Sequence, residues 1–444
     1  MKSILLISWY LSVNGGKGVE QNQRVQKWLY LPIETRVREL DAKLLLAYYA
    51  VKQNYRVIIG EHTKVERASF VFPNGIFFSK GYPNRYRKRV VGNAKKYGHM
   101  IVELDEEGLI IHDTTKYVKG RMCDELLTDV THEYCWGKFQ EETIINSYPQ
   151  FREKCYIVGN PRFDLLKEKF NSLYKDSSDK IQENYGDFIL INTRFSLYND
   201  FTGLRNNKLN PRIQDMKNLL ESFLIMITEL AKEFPALNIV IRPHPGENFS
   251  TYEQQFSNYR NIHVIHEGNV INWILASRIV IHNGCTTGIE AFLLRKPVIA
   301  YLPFSSGFYD VDLPNNLSVK AFSIREIINY VQLITTSSGT YTPHNPTANT
   351  YLSKFYGAMD DQFSYEKIIQ LLNQLTIHNE PLNRIGSYQP DSNYLKQSYK
   401  FTTLTMEQIR SFFKKIDVIE HANNNVIIYK IDENLFDISL STEE

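Results

Sequence analysis

The stretch from Ser277 to Tyr301 constrains the fold of this chain more than any other part. It contains two short apolar runs, Ile279–Ile281 and Val298–Tyr301, separated by a polar turn and a helix-like segment. Short, continuous, β-branched runs are typical of strands buried on both faces of a parallel sheet. The stretch therefore predicts a strand–turn–helix–strand unit of an α/β protein.

The turn in this unit, Asn283–Gly288, brings Thr286, Thr287 and Gly288 to the start of the predicted helix. The first turn of a helix carries backbone N–H groups that have no partner within the helix, and these groups bind phosphate well. Two interpretations stay open for the stretch alone. It is either a phosphate seat or an ordinary crossover whose helix is capped by threonine.

A second polar strand end precedes this one in the chain. The apolar run Leu237–Ile241 is followed by an Arg-Pro-His-Pro sequence that supplies Arg242 and His244, and the two prolines stiffen the loop. In open α/β sheets, ligands bind beyond the carboxyl ends of the strands. Together with Thr286 and Thr287, this strand end predicts a site for a phosphorylated ligand.

Length and composition limit the class of protein. A chain of 444 residues is too long for one ordinary core, so two domains are expected. A net charge of +2 gives no reason to expect nucleic-acid binding. The four cysteines have no Cys-x-x-Cys spacing, which favours free thiols in a reducing compartment.

Alternating strand and helix patterns predict two parallel-sheet domains, at residues 26–170 and 185–340, joined by a charged connection. Residues 1–25 are predicted to be an N-terminal extension, and residues 341–444 to be helices and an appendage that packs back on the first domain. No run reaches the roughly 18 apolar residues that a membrane-spanning helix needs.

Three consecutive carboxylates, Asp105, Glu106 and Glu107, follow the predicted strand Met100–Glu103. Such a group is costly unless it is solvated, paired or used in catalysis. Crowding raises the pKa of one member, which then serves as a base near neutrality. The open alternative is a solvated acidic turn.

The predicted first strand ends at another charged group, Glu34, Arg36 and Arg38. These side chains would lie on the ligand side of the sheet, or they would form a capping and salt-bridge cluster at a helix start. If the acidic turn is only a solvated loop, Glu34 or Glu39 becomes the expected catalytic carboxylate.

Together, these motifs resemble bacterial GT-B glycosyltransferases of surface carbohydrate biosynthesis, relatives of the capsule and lipopolysaccharide enzymes that use CMP-activated acidic sugars. The resemblance extends from about Trp28 to Leu375. It rests on Leu31–Ala47, Val158–Leu166, Arg242–Pro245 and His282–Tyr301. It implies an α/β protein of the GT-B fold, with two Rossmann-like domains whose parallel sheets face a cleft.

The combination of Glu106-Glu107-Gly108 with His244-Pro245 is similar to the signature of bacterial sialyltransferases. In that resemblance an acidic residue is the base, the histidine binds the CMP phosphate, and Thr286 and Thr287 match a hydroxyl-containing phosphate motif. Arginines suit the sugar carboxylate, because a guanidinium pairs with it in bidentate fashion. The further candidates for binding nucleotide or sugar are Arg36, Arg38, Asn192, Arg194, Arg242, His282, Gly288 and Glu290, with Glu290 expected at the ribose.

The expected function is transfer of an acidic, nonulosonic-type sugar from a CMP-linked donor to a surface glycan, without metal or cofactor. The expected partners are a nucleotide sugar and a glycan acceptor. The expected location is the cytoplasm or the periphery of the inner membrane. Two alternatives stay open: a CDP-glycerol-type polyol phosphotransferase on the same fold, and a non-catalytic assembly protein that keeps the GT-B shell. The identity of the acid, the acceptor and the choice between inversion and retention are also open.

Overall fold

The computed structural model describes residues 26–201, 203–204, 210–337, 347–359, 361–377 and 401–441. The predicted extension at residues 1–25 lies outside the described residues.

The first domain is built on a sheet of eight strands. These strands are β1 (Lys27–Ile33), β2 (Tyr55–Glu61), β3 (Ile76–Ser79), β4 (Met100–Leu104), β5 (His132–Cys135), β6 (Cys155–Ile157), β15 (Val426–Asp432) and β16 (Leu435–Leu440). Their order across the sheet is β15-β16-β2-β1-β3-β4-β5-β6. Strands β1 to β6 are parallel, and the C-terminal hairpin of β15 and β16 joins antiparallel to β2.

The helices of this half connect successive strands and cover the sheet. They are α1 (Arg36–Lys52), α2 (His62–Ala68), α3 (Asn84–Lys96), α4 (Thr114–Arg121), α5 (Asp124–Asp129), α6 (Lys138–Ser147), α7 (Pro161–Asp164) and α8 (Lys175–Tyr185), with short 3₁₀ helices at Pro149–Lys154 and Glu168–Leu173. Helix α8 lies in the segment that the sequence predicted as a charged connection.

The second domain is built on a six-stranded parallel sheet. Its strands are β7 (Phe188–Asn192), β10 (Asn238–Arg242), β11 (Ile262–Val264), β12 (Ile279–His282), β13 (Val298–Tyr301) and β14 (Val319–Ala321), in the order β11-β10-β7-β12-β13-β14. A small separate ribbon contains β8 (Asn199–Asp200) and β9 (Gly203–Leu204).

Helices also connect the strands of this half and continue after it. They are α9 (Pro211–Glu233), α10 (Ser250–Gln255), α11 (Val270–Ala276), α12 (Thr286–Leu293), α13 (Asp312–Leu317), α14 (Ile324–Thr336), α15 (Ala348–Leu352), α16 (Ser364–Gln374) and α17 (Met406–Ile419).

The central strand β7 sets the geometry of the second sheet. All five of its side chains are buried, as expected for a strand covered on both faces. Asn192 at its carboxyl end is in register with Arg242 on β10 and with His282 on β12. Three polar strand ends are therefore aligned at one edge. The parallel α/β architecture predicted from the sequence is confirmed.

The last described segments return to the first domain. The Asp164 carboxylate accepts hydrogen bonds from the backbone N–H groups of Ser364 (2.9 Å) and Tyr365 (2.8 Å) at the start of α16. The Tyr48 hydroxyl donates to Asp417 on α17 at 2.7 Å. Strand β16 was not predicted, although it covers the edge of β2 and so completes the first sheet.

Candidate functional site

The acidic turn after β4 holds its three carboxylates in three different environments. Asp105 is buried and accepts hydrogen bonds from Tyr117 (3.0 Å), Arg121 (2.8 Å) and the backbone N–H of Glu107 (3.0 Å). Burial raises the pKa of Asp105 to about 6, against the opposing charge of Arg121. Asp105 therefore shapes the turn from inside the protein.

Glu106 is also buried, but it is surrounded by cations and donors. Lys43 Nζ lies 3.3 Å from its Oε1, and the Asn160 amide donates to its Oε2 at 3.2 Å. Burial by itself would raise the pKa of Glu106, but the cations led by Lys43 and Arg162 outweigh burial and lower it to about 2. The raised pKa expected for one carboxylate of this turn therefore occurs at Asp105, where burial causes it, and not at Glu106, whose nearest charges are positive.

Glu107 is the carboxylate of the turn that reaches solvent, with 51% of its side chain exposed. Arg38 Nη1 lies 2.7 Å from its Oε1, and Arg38 Nη2 donates to the backbone oxygen of Glu106 at 2.9 Å. Burial opposes ionisation of Glu107, but Arg38 outweighs it and lowers the pKa. One guanidinium thus fixes the turn and leaves an ionised carboxylate at its surface.

The start of α1 lies beside this turn. Lys80, at the end of β3, pairs with Glu34 (2.7 Å) and with the buried Glu39 (3.0 Å). Arg36 takes a different direction and donates to Thr402 and Gln408 in the C-terminal segment. The structure therefore brings Glu34 and Arg38 to the strand ends, whereas Arg36 holds the C-terminal segment.

His244 is exposed on the loop that follows β10. Its Nδ1 accepts a hydrogen bond from the backbone N–H of Gly246 at 3.1 Å, so the neutral ring carries its proton on Nε2. Burial, followed by the charges of Arg38 and Arg194, lowers the pKa of His244. Within the described residues the Nε2–H of this neutral imidazole has no hydrogen-bond acceptor, and the ring lies near arginines of both domains.

A buried carboxylate holds this loop, and Arg242 holds the neighbouring one. The Glu247 carboxylate accepts from the backbone N–H of His244 (3.0 Å) and from Thr193 Oγ1 (2.8 Å). Arg242 donates to the backbone oxygens of Glu267 (2.6 Å) and Gly268 (3.1 Å). Arg242 was predicted to bind the ligand, but its guanidinium is used to support the neighbouring loop.

The turn before α12 is capped in a way the sequence did not predict. Cys285 is the N-cap, and its Sγ accepts from the backbone N–H of Thr287 at 3.3 Å. The thiol in turn donates to Thr287 Oγ1 at 2.9 Å. Of the two interpretations left open for this turn, the threonine cap is therefore not observed. Thr287 is buried, and Thr286 is left exposed in the first helical turn.

His282 was expected among the ligand-binding residues, but it lies inside the fold. Its side chain is fully buried, Nε2–H donates to Ser318 Oγ at 2.8 Å, and Nδ1 accepts from the backbone N–H of Gly284 at 2.9 Å. Both ring nitrogens are used within the protein. Burial, followed by Arg194, lowers the pKa of His282 to about 3. His282 therefore supports the turn from inside the protein.

Two amides at the ends of β7 and β12 have unusual surroundings. Asn192 and Asn283 are 5% and 3% exposed. Within the described residues, Asn192 Nδ2 and both polar side-chain atoms of Asn283 have no hydrogen-bond partner. Arg194 donates to the backbone oxygens of Asn283 (3.0 Å) and Tyr309. Buried amides are almost always paired, so these two strand-end amides are candidates for contacts to a ligand.

Contacts between the domains join the two halves of the site. Arg162, after β6, pairs with Glu290 on α12 at 3.1 Å, with 12% and 9% of their side chains exposed. Asn269 at the start of α11 donates to Asp41 on α1 at 2.9 Å. In this state the Glu290 carboxylate, expected at a ribose, binds an arginine of the other domain. Burial raises the pKa of Glu290, against Arg162.

Sequence reasoning did not single out several charged groups of the site. Lys43 neutralises Glu106. Its position could have been inferred from the sequence, because it lies four residues after Glu39 and therefore on the same face of the helix. Lys80 and Arg162 gave weaker signals, since each follows a short strand. The exposed His112 gave none, although its pKa is lowered by burial and by Arg194 across the cleft.

Within the described parts of the chain, no three His, Cys, Asp or Glu side chains come together as they would to hold a metal ion. In the same parts, no helix is long and apolar enough to cross a membrane.

No protein-family model matches the chain, and no curated protein matches it. Solved structures do match. UDP-GlcNAc 2-epimerase from Methanocaldococcus jannaschii is 11% identical with a TM-score of 0.50, over 79% of this chain and 99% of that one. The putative UDP-N-acetylglucosamine 2-epimerase of Listeria monocytogenes is 14% identical with a TM-score of 0.51, over 81% and 100%. S. aureus MnaA with UDP is 14% identical with a TM-score of 0.50, over 79% and 98%. The chain has the GT-B fold, two Rossmann-like domains whose parallel sheets face a cleft.

Proposed function

We propose that the protein is a glycosyltransferase that transfers an acidic, nonulosonic-type sugar from a CMP-linked donor to a surface glycan. The observation that carries this proposal is the group of buried amide atoms, at the strand ends of the second domain, that have no partner among the described residues. The unpartnered amides of Asn192 and Asn283 lie there with the start of α12 and the loop of His244.

The start of α12 is the proposed phosphate seat. Backbone N–H groups at a helix N-terminus favour an anion, and Thr286 adds an exposed hydroxyl in the first turn. His244 adds the Nε2–H donor, and Arg194 adds positive charge beside the turn. These groups stabilise the negative charge that develops on a departing phosphate, so we propose a mechanism that needs no metal.

The unpartnered amides are the proposed contacts to the rest of the donor. Burying an amide without a partner costs about 1–3 kcal/mol. Hydroxyl and carbonyl groups of a bound nucleotide sugar would remove this cost for Asn192 and Asn283. Glu290 would exchange its partner Arg162 for the ribose hydroxyls when the nucleotide enters.

Glu107 is the proposed base, because it is the exposed member of the acidic turn and its charge acts on His244. In an inverting transfer, the acceptor hydroxyl attacks the anomeric carbon of the donor sugar. The bond from that carbon to the phosphate oxygen breaks, and its electron pair leaves with CMP. The acceptor proton passes to Glu107, which Arg38 holds in place.

Two further points support a nucleotide-linked donor. UDP-GlcNAc 2-epimerases, by their name, act on a nucleotide sugar within the same fold, and the S. aureus MnaA structure holds UDP. The choice of a CMP-linked acidic donor rests on the acidic-acidic-Gly and His-Pro motifs, which lie at Glu106–Gly108 and His244–Pro245.

A donor panel tests the proposal. The protein is incubated with CMP-sialic acid, CMP-Kdo, CDP-glycerol and UDP-GlcNAc, with and without a mixture of glycan acceptors, and the products are separated by anion-exchange chromatography. We expect CMP release from at least one CMP-linked acidic sugar. Turnover of CDP-glycerol alone, or epimerisation of UDP-GlcNAc alone, would overturn the proposal.

Paired variants link any turnover to the site. His244→Ala should abolish most of the CMP release. His263→Asn is the matched control, because His263 is a half-buried histidine on β11 that bonds to Asn238. Equal loss in both variants would indicate a general effect on the fold.

A further inference from the structure

The ion pair between Arg162 and Glu290 joins the two domains. Arg162 lies in α7, the short helix that follows β6 of the first sheet, and Glu290 lies in α12 of the second domain. Arg162 Nη2 is 3.1 Å from Glu290 Oε1, and 12% and 9% of the two side chains are exposed. Breaking a buried pair of this kind is costly, because the partner that remains keeps an uncompensated charge.

Glu290 lies on the helix face that also carries the proposed phosphate seat. It is four residues after Thr286, so the two side chains share one face of α12, and Thr286 is exposed in the first turn. A nucleotide whose phosphate occupies that seat would bring its ribose beside the Glu290 carboxylate. The ribose hydroxyls would then take the carboxylate that pairs with Arg162.

The other arginines that were expected to bind a ligand are held by different groups of the protein. Arg36 donates to two side chains of the C-terminal segment, and Arg194 and Arg242 donate to backbone oxygens of nearby loops. Arg38 pairs with the proposed base. The proposed ribose contact removes none of these partners. Among these five arginines, Arg162 is therefore the one that loses its partner when a donor binds.

The charges around Arg162 leave little to replace that partner. Two carboxylates of the acidic turn act on Arg162, but each has a closer cation. Lys43 lies 3.3 Å from Glu106, and Arg38 lies 2.7 Å from Glu107. Burial, followed by the charge of Arg38, lowers the pKa of Arg162. A guanidinium that loses its carboxylate at this position therefore needs an anion from the ligand.

We propose that Arg162 determines the specificity for the donor, because it binds the carboxylate of the acidic sugar once the ribose has taken Glu290. This inference rests on the proposed transferase function. A guanidinium binds a carboxylate through two parallel hydrogen bonds, so an acidic sugar restores the charge balance that the ribose contact removes. A neutral sugar leaves the buried guanidinium unpaired, and this cost discriminates against it.

Two matched ligands test the proposal. They are CMP-3-fluorosialic acid, whose fluorine prevents transfer, and its methyl ester, which lacks the negative charge of the carboxylate. Isothermal titration calorimetry gives the affinity of the full-length protein for each. We expect the acid to bind about tenfold more tightly than the ester. Equal affinities, tighter binding of the ester, or no binding of either ligand would overturn the inference.

Substitutions at both ends of the ion pair separate recognition of the donor from a structural role. The preference for the acid should disappear in Arg162→Met. It should fall to about threefold in Arg162→Lys, because an ammonium keeps the charge but loses the two parallel hydrogen bonds. Glu290→Gln should keep or increase the preference, because Arg162 then has no competing carboxylate. An ion pair with a structural role alone would weaken both ligands equally and leave the preference unchanged in all three variants.

Two further variants control for folding. The double variant of Arg162→Met with Glu290→Gln leaves no unpaired charge between the domains, and it should also show no preference for the acid. Arg56→Met is the matched control, because Arg56 pairs with Asp437 at 2.6 Å in the first sheet, with 13% and 6% of the side chains exposed. Arg56→Met should keep the full preference. A preference that persists in the double variant would overturn the inference.

Failure of the transferase proposal would look different. In that case the wild type would still prefer the acid and Arg162→Met would not, but no donor of the panel would release its nucleotide.

Discussion

Lys43 and Glu106 form an ion pair of 3.3 Å in which each side chain is only 5% exposed. The pair joins the second turn of α1 to the acidic turn after β4. It leaves Glu106 ionised but enclosed, and it leaves Glu107 as the carboxylate that solvent and substrate can reach. The pair therefore separates a structural role, at Glu106, from the proposed catalytic role of the adjacent Glu107.

The first prediction follows from this separation. Glu107→Gln should reduce turnover by about 10²–10⁴, the range expected for losing a positioned base, with donor affinity little changed. Glu106→Gln should instead lower the free energy of unfolding, by about 3 kcal/mol, because Lys43 is left without its partner. Steady-state kinetics and urea unfolding of both variants separate the two roles.

The reverse result would assign the base to Glu106. That result is full turnover in Glu107→Gln together with a stable but inactive Glu106→Gln. Asp105→Asn serves as the control for the shape of the turn, because Asp105 accepts three hydrogen bonds inside the protein.

The second prediction concerns the phosphate seat. Thr286→Ala and His244→Ala should each weaken CMP binding, at a cost of about 1–3 kcal/mol for each hydrogen bond lost to a charged group. Thr287→Ala should weaken it less, because the Thr287 side chain is buried against Cys285. Isothermal titration calorimetry provides the affinities. Equal losses at Thr286 and Thr287 would contradict this order.

The third prediction concerns the contact between Arg162 and Glu290. Glu290→Gln should lower the free energy of unfolding by about 3 kcal/mol, since a buried guanidinium loses its partner. Adding Arg162→Met should recover part of the loss, which a double-mutant cycle measures. The exposed pair of Lys232 and Glu229 is the control, and removing it should cost no more than about 1 kcal/mol. Additive effects of the two changes would show that the pair is not coupled.

The fourth prediction is a pH dependence that comes from His282. Its pKa is about 3 in the folded protein and 6.5 in its ordinary state, so unfolding takes up a proton between these values. The contribution of the neutral His282 ring to the free energy of unfolding is therefore complete above pH 6.5 and is lost as the pH falls toward 3. By pH 5 the loss should reach about 2 kcal/mol. Urea unfolding of the wild type and of His282→Asn across this pH range gives the free energy of unfolding as a function of pH. We expect a smaller slope for the variant, and parallel curves would rule out this role of His282.

The fifth prediction compares two helical glycines. A Cβ added to Gly288 would lie 2.3 Å from His282 Nε2, so Gly288→Ala must displace the ring and should cost about 1–3 kcal/mol. Gly92 on α3 has open space at the same position, and Gly92→Ala should stabilise the protein by about 0.5–1 kcal/mol. Thermal unfolding of both variants tests the contrast. A neutral Gly288→Ala would mean that the ring moves at little cost.

Some parts of the site followed from local pattern. The carboxyl ends of parallel strands meet at one edge, so the turns after β10 and β12 were placed together from the strand pattern of their sheet. The turn after β4 belongs to the other sheet and was placed opposite them only through the resemblance to GT-B proteins. The ionisation states of the side chains within those turns could not be predicted from the sequence pattern. One member of the acidic turn was expected to have a raised pKa, but the sequence did not say which one. The pKa of Glu106 is lowered, because Lys43 and Arg162 approach it from distant segments of the chain, whereas burial raises that of Asp105.

The sequence by itself determined the α/β class, the parallel strands and the strand ends that carry polar residues. These features depend on short-range periodicity and on the burial of continuous apolar runs. Only the tertiary structure decided which charges meet. Arg162 and Glu290 are 128 residues apart, and Arg36 finds its partners in the last helix region. The pKa of a buried group depends on charges within a few ångströms, whatever their distance along the chain, so its direction was fixed only when distant segments met in the folded protein.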